Sequence, residues 1–268
     1  MEGKIEGRSL DTKIANLHQL YSGIYGRKDK WLSKLGYNPV YERRVTRLIV
    51  PLLKQSKVFV DLGASIGYYT FLANQHMENG EIYTFEPDPV RYEELKKGIK
   101  KNNGEHNDIQ VYPYAVSNIA GAREMYSNRH SKVSTGSLVK DDEVHTDKIK
   151  IKTVKLDDFF PNSNAIDLIK MDIEGEELNA LIGMQNILKN GKTKIFCEVH
   201  KPPLNRQGQK LQDITDILSK YGYSIFKIEP QPLLLWLLSF VYPLKPKHIK
   251  SIDVSGQYLF IKEEGNKT

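Results

Sequence analysis

Four short runs in this chain end an apolar stretch on residues that bind ligands or move protons. Val58–Thr70 reads VFVDLGASIGYYT, where three apolar residues meet Asp61 and a turn of spacing D-x-G-x-x-x-G follows through Gly63, Ala64 and Gly67. Gly63 suits a turn conformation closed to other residues, and Gly67 lets backbone approach a ligand closely. EIYTFEPDP then places Glu86 about 20 residues past the glycines, where a carboxylate binds both hydroxyls of a ribose. IDLIKMDIEGEE (Ile166–Glu177) ends in four acids, Asp172, Glu174, Glu176 and Glu177. IFCEVH (Ile195–His200) ends in Glu198 and His200, an acid beside the side chain whose charge changes near neutral pH. The chemistry these suggest is nucleotide-like cofactor binding next to a group that takes up a proton.

The elements that must position these residues follow from periodicity. Residues 9–57 read as helical, with Val45, Leu48, Ile49, Leu52 and Leu53 at helical spacing. Strands are expected at 58–61, 81–86, 110–116, 149–156 (an edge), 165–172, 194–200, 224–229 and 257–262. Helices are expected at 68–76, 89–101, 176–188 and 211–221. This alternation describes an α/β chain with a mainly parallel sheet and helices on both faces. In such a sheet ligands bind beyond the carboxyl ends of the strands. Asp61, Glu86, Asp172, Glu198 and His200 should therefore share one crevice.

Composition sets bounds. At 268 residues the chain accommodates one large α/β domain with decorations. The net charge of +6 and pI of about 9.0 permit an anionic partner. No basic stretch with interleaved aromatics stands out, so nucleic acid is ranked low as a partner. The single cysteine, Cys197, excludes an internal disulfide and sits in an apolar run, as a buried structural thiol would. The first 30 residues lack an apolar leader, so a cytoplasmic location is expected. Residues 5–8 read IEGR, a sequence used for removing fusion tags, and residues 1–8 carry no functional weight.

Taken together, VFVDLGASIGYYT, YTFEPDP, AVSN (Ala115–Asn118), LDDF (Leu156–Phe159), LIKMDIEGEE and CEVH resemble the FkbM family of S-adenosylmethionine-dependent methyltransferases. KYGYSIFKIE (Lys220–Glu229) is a weaker match. The resemblance implies a Rossmann-like, seven-strand methyltransferase sheet whose last strand is antiparallel, and O-methylation of hydroxyls on sugars or natural products. It divides the chain into an N-terminal helical extension, 1–57, and a methyltransferase domain, 58–268, with an apolar insertion at 230–256.

Roles follow from that reading. Asp61, Gly63, Ala64, Gly67, Glu86, Asn118 and Asp172 are assigned to the cofactor, with Glu86 on the ribose and Asn118 toward the adenine. His200 is the first choice for the base, Asp172 the alternative, and Glu198 the residue that orients the imidazole, since alternate strand residues share a face. Glu176 and Glu177 are read as helix-opening acids that favour the positive end of the dipole. Asp172, Glu174, Glu198 and His200 also have the composition of a magnesium or manganese site, but no metal is assigned.

Pro232–Leu244, PLLLWLLSFVYPL, is almost wholly apolar and is followed by Lys245, Lys247, His248 and Lys250. It is too short to span a bilayer, which takes about 20 residues. It reads either as a buried lid or subunit interface, or as an interfacial anchor that would bring a lipid-linked acceptor to the inner face of a membrane. The polar stretch 127–146 reads as a flap or a plain loop. Two other classes compete with the methyltransferase: a nicotinamide-dependent oxidoreductase, which the missing G-x-G-x-x-G disfavours, and a noncatalytic, membrane-associated binding protein. The oligomeric state is open.

Overall fold

A computed structural model describes residues 43–101, 107–127, 136–141, 146–161, 165–190, 192–229 and 246–262. The apolar segment 232–244 and most of the 1–57 extension lie outside the described residues. The chain divides into two compact units, Met1–Arg43 and Arg44–Thr268.

Among the described residues the second unit is built on an eight-stranded sheet. Its strands are β1 (Val58–Leu62), β2 (Glu81–Phe85), β3 (Asp108–Tyr112), β7 (Leu168–Met171), β8 (Lys194–Val199), β9 (Tyr223–Lys227), β10 (Lys247–Ile249) and β11 (Gly256–Lys262). The order is β10-β9-β11-β8-β7-β1-β2-β3. Strands β3, β2, β1, β7 and β8 run parallel, and β11 inserts antiparallel between β8 and β9. This is the expected mainly parallel methyltransferase sheet with its antiparallel last strand. One strand is added: β10 pairs antiparallel with the outer edge of β9. Lys247 and His248, expected only as a basic flank of the apolar insertion, belong to this edge strand.

The helices are α1 (Arg43–Leu53), α2 (Tyr68–His76), α3 (Pro89–Lys101), α4 (Leu156–Phe159), α5 (Glu177–Ile182), α6 (Gln185–Asn190), α7 (Lys201–Arg206) and α8 (Leu211–Lys220). In α1 Val45, Ile49 and Leu53 are buried, the apolar side its spacing predicts. The core joins Val60 and Leu62 of β1 to Ile169, Met171, Ile195, Cys197, Tyr258 and Phe260 across the sheet, with Leu178 and Leu181 of α5 against them.

Three of the expected elements take a different form. The strand expected at 110–116 breaks at Pro113, which has no N–H to give a ladder. Its second half, β4 (Tyr114–Val116), pairs with β6 (Asp147–Val154) in a separate sheet of order β4-β6-β5, where β5 is Gly121–Ser127. Hence β6 is a central strand of a small sheet, not an edge of the large one. The helix expected over 176–188 is two, α5 and α6. They part at Gly183, where a side-chain carbon would stand 2.1 Å from the Ser117 carbonyl oxygen.

Candidate active site

The sheet order reverses between β1 and β7, and in an open α/β sheet the ligand crevice lies beyond the carboxyl ends of the strands at such a reversal. The glycine turn closes one side of it. Gly63 has φ 77°, and a side-chain carbon there would lie 1.9 Å from the Asp172 carbonyl oxygen. The two strand ends are stitched at that point, because Asp172 N–H donates to the Leu62 carbonyl at 3.0 Å. The N–H groups of Gly63 and Ala64 both donate to the Phe85 carbonyl. Ser65 N–H donates to Glu86 Oε2 at 2.7 Å, and Asp88 N–H to Glu86 Oε1 at 2.8 Å. Glu86 is buried, and burial outweighs those bonds to push its carboxyl up to about 7.

Asp61 is also buried, and Thr70 Oγ1 donates to its Oδ2 at 2.7 Å. Burial raises its carboxyl to about 6 against the pull of that bond. This ties β1 to α2, so the acid orients the turn that follows it. Gly67 has φ 96°, and the space a side chain would take there is filled by Leu95 and Phe71. Its freedom therefore serves helix packing in addition to any approach to a ligand.

The acids after β7 and the residues ending β8 form the other side. His200 Nδ1 is 2.9 Å from Glu177 Oε1, which also accepts from Gly175 N–H at 2.9 Å. His200 Nε2 faces Glu174 Oε2 at 3.6 Å, Asp172 Oδ1 at 3.9 Å and Glu198 Oε1 at 4.0 Å. Burial disfavours the imidazolium, but the Glu177 bond and charge, followed by Glu174 and Asp172, outweigh it and hold the pKa up at about 9. Burial likewise lifts Glu174 to about 7. The buried Lys170 ammonium lies 3.5 Å from Asp172 Oδ2. Asp172, Glu174 and His200 each offer one donor atom within 4.8 Å of the others, a group that could hold a divalent cation.

The crevice thus brings together Asp61, Gly63, Ala64, Glu86 and Asp172 on the one side and Asp172, Glu198 and His200 on the other. Asn118 lies apart from the glycine turn in its contacts. Its Oδ1 is 3.2 Å from Ser117 Oγ, which bonds Glu176 Oε1 at 2.6 Å. Glu198 does share a face with His200, but Glu177 makes the hydrogen bond that orients the imidazole. Glu177 is therefore more than a helix-opening acid. Glu176 differs again: its Oε1 accepts from Arg123 at 2.5 Å and from Asn179 at 3.0 Å, which clamps the small sheet to α5.

Two further residues escape sequence reasoning. Ser137 Oγ donates to the Glu174 carbonyl at 2.6 Å, which ties the described residues 136–141 of the 127–146 stretch to the acid loop. Gln207 Nε2 donates to the Gly175 carbonyl at 2.7 Å. Neither has a spacing signal, since both contacts join segments more than 30 residues apart. Cys197 is buried with its thiol pushed up by burial, as a structural thiol should be.

Residues 61–225 match the family described as the methyltransferase FkbM domain. The chain belongs to this family. Among curated relatives it is 25% identical over 187 residues to the hexuronic acid methyltransferase AglP of Haloferax volcanii, a match covering 67% of this chain and 68% of that protein. It is 23% identical over 144 residues to Methyltransferase 1 of Beauveria bassiana, covering 47% of this chain and 58% of that one. The solved FkbM methyltransferase of Methylobacillus flagellatus KT aligns with 77% of this chain and 43% of its own, at 21% identity and a TM-score of 0.45. No helix among the described residues is long and apolar enough to cross a membrane.

Proposed function

We propose that this FkbM methyltransferase transfers a methyl group from S-adenosylmethionine to a hydroxyl of a sugar, glycan or lipid-linked sugar. The observation that carries this reading is the crevice at the sheet reversal, with a glycine turn and the Glu86 carboxyl on one side and His200 among carboxylates on the other. The donor set fits the cofactor: Glu86 suits the ribose hydroxyls, and the turn Asp61–Gly67 and Asp172 suit the methionine end. Asn118 is retained for the adenine side, although its contacts run to Ser117. S-adenosylmethionine supplies an activated methyl group, so the protein's task is alignment and proton removal.

His200 in its neutral form takes the hydroxyl proton at Nε2, with Asp172 as the neighbouring carboxylate and Glu198 beside it. A base in this position contributes about 10²–10⁴ in rate. The choice of a sugar acceptor is supported by the hexuronic acid methyltransferase among the relatives. No metal is assigned. Contact of residues 232–250 with a membrane or an apolar acceptor is a separate proposal, tested by co-sedimentation with anionic liposomes. The main test is calorimetric titration with S-adenosylhomocysteine, followed by methylation assays on uronic-acid and neutral glycosides. Saturable binding and the gain of one methyl on a hydroxyl support the reading. Failure to bind S-adenosylhomocysteine would overturn it.

A further inference from the structure

Glu177 is fully buried, yet it lies in a run of acids that otherwise serve the helix start or face the crevice. Its Oε1 accepts two hydrogen bonds, from Gly175 N–H and from His200 Nδ1, while Oε2 has no hydrogen-bond partner among the described residues. A carboxylate buried in this way is costly unless a charge or strong donor offsets it. Its neighbour Glu176 has Arg123 for that purpose. For Glu177 the counterpart is His200.

The other carboxylates near the imidazole stand differently. Glu174, Asp172 and Glu198 face Nε2 at 3.6 to 4.0 Å, beyond hydrogen-bond reach. The charged groups around the ring are thus Asp172 and Glu174 from the loop after β7, Glu177 from α5 and Glu198 from β8, with Lys170 from β7 against Asp172. When a carboxylate accepts from Nδ1, it fixes the tautomer and the ring orientation and leaves Nε2 as the working nitrogen.

We infer that Glu177 is the positioning residue of His200: it holds the imidazole with its proton on Nδ1 and turns Nε2 toward the crevice. The role in methyl transfer rests on the function proposed above, but the tautomer and the orientation do not. Glu177 touches no reacting atom. It acts through His200 by keeping the nitrogen that receives a proton in one place, and by stabilising the imidazolium once that proton arrives.

The test begins with the unmodified protein. The nitrogen-15 shifts of His200, followed by NMR from pH 6 to pH 10.5, report both the tautomer and the titration midpoint. The expected neutral form carries its proton on Nδ1, and a neutral form protonated on Nε2 overturns the inference. In Glu177→Gln the midpoint should fall by at least one pH unit, while S-adenosylhomocysteine affinity stays within about twofold. With an acceptor in hand, kcat should drop about tenfold or more at unchanged cofactor KM, and the acid-side limb of the pH profile, where activity rises as His200 loses its proton, should move to lower pH. Glu177→Asp should recover part of that loss. A midpoint unmoved in Glu177→Gln overturns the assignment. Loss of S-adenosylhomocysteine binding in the unmodified protein would instead count against the methyl-transfer reading, because the NMR measurements need no cofactor.

Discussion

The two sides of the crevice solve opposite problems. On the glycine-turn side each acid is held by neutral donors: Asp61 by Thr70, and Glu86 by the N–H groups of Ser65 and Asp88. On the acid–histidine side the carboxylates Asp172, Glu174, Glu177 and Glu198 gather around the His200 imidazole, with Lys170 against Asp172. The first side is wired largely by backbone N–H groups of the turn and of the loop after β2. The second is assembled from β7, α5 and β8 and carries an excess of negative charge. Rigidity suits the part that grips a constant cofactor, and a reserve of charge suits the part that moves a proton.

The largest effect is expected at the seam between the two sides. Gly63→Val places a side chain against the Asp172 carbonyl oxygen, where even one carbon would lie at 1.9 Å, and does so at φ 77°. Overpacking together with a strained backbone should cost roughly 3 kcal/mol or more. Scanning calorimetry should show a drop in Tm on the order of 10 °C, or no folded protein. A Tm within 2 °C of wild type, as an order of magnitude, would mean that the strand ends are not stitched as described.

On the acid–histidine side His200→Ala should lower kcat by about 10²-fold and leave S-adenosylhomocysteine affinity within about twofold. If activity survives, proton removal falls to Asp172 or to a bound cation, and a chelator separates them. Loss restored by magnesium or manganese points to the Asp172–Glu174–His200 group as a metal site, and no loss points to the carboxylate.

The unequal legibility of the two sides has the same physical origin. Strand, turn and helix from Val58 to His76 were readable because their signals are local: an apolar run, an acid, glycines at fixed spacing. The antiparallel last strand followed from family resemblance, not from periodicity. The partner of His200 was not readable. Alternation along β8 favours Glu198, two residues away, while the bond goes to Glu177, 23 residues away on α5. The strand at 149–156 reads as an edge yet is the central strand of the small sheet, because a strand pattern does not say which sheet will receive it. Pro113 and Gly183 mark the breaks, yet only the observed contacts show why each break falls there.

A smaller effect concerns the pH dependence of the glycine-turn side. The Asp61 carboxyl is raised from an ordinary 3.8 to about 6 by burial, so the folded state binds its proton more tightly than the unfolded chain does. Stability from this group is complete below pH 3.8 and is lost as pH rises through about 6. In Asp61→Asn that loss should vanish, with Thr70 still able to donate to the amide oxygen. Denaturation at pH 4.5 and pH 7.5 should therefore differ less in the variant than in wild type, by roughly 2 kcal/mol. Equal slopes in the two proteins would mean that Asp61 is not the buried, proton-retaining group described.

The smallest effect belongs to Glu86, and it separates two roles that the structure superimposes. Both of its oxygens hold backbone N–H groups, one on each side of the loop. If Glu86 also binds the ribose, Glu86→Ala should weaken S-adenosylmethionine by about 1.5 kcal/mol, the scale of a hydrogen bond to a charged group. That is somewhat more than tenfold in affinity. Loss of the loop contacts would also lower affinity, but indirectly, so a second ligand is needed. Methionine, which lacks the ribose, should lose little between wild type and Glu86→Ala if the turn keeps its shape. An equal loss for methionine and for S-adenosylhomocysteine would mean that Glu86 works only as the clasp of the Ser65 turn. A loss confined to the nucleoside ligand would make it a cofactor ligand, gripping the ribose from a site that burial keeps poised with its carboxyl at about 7.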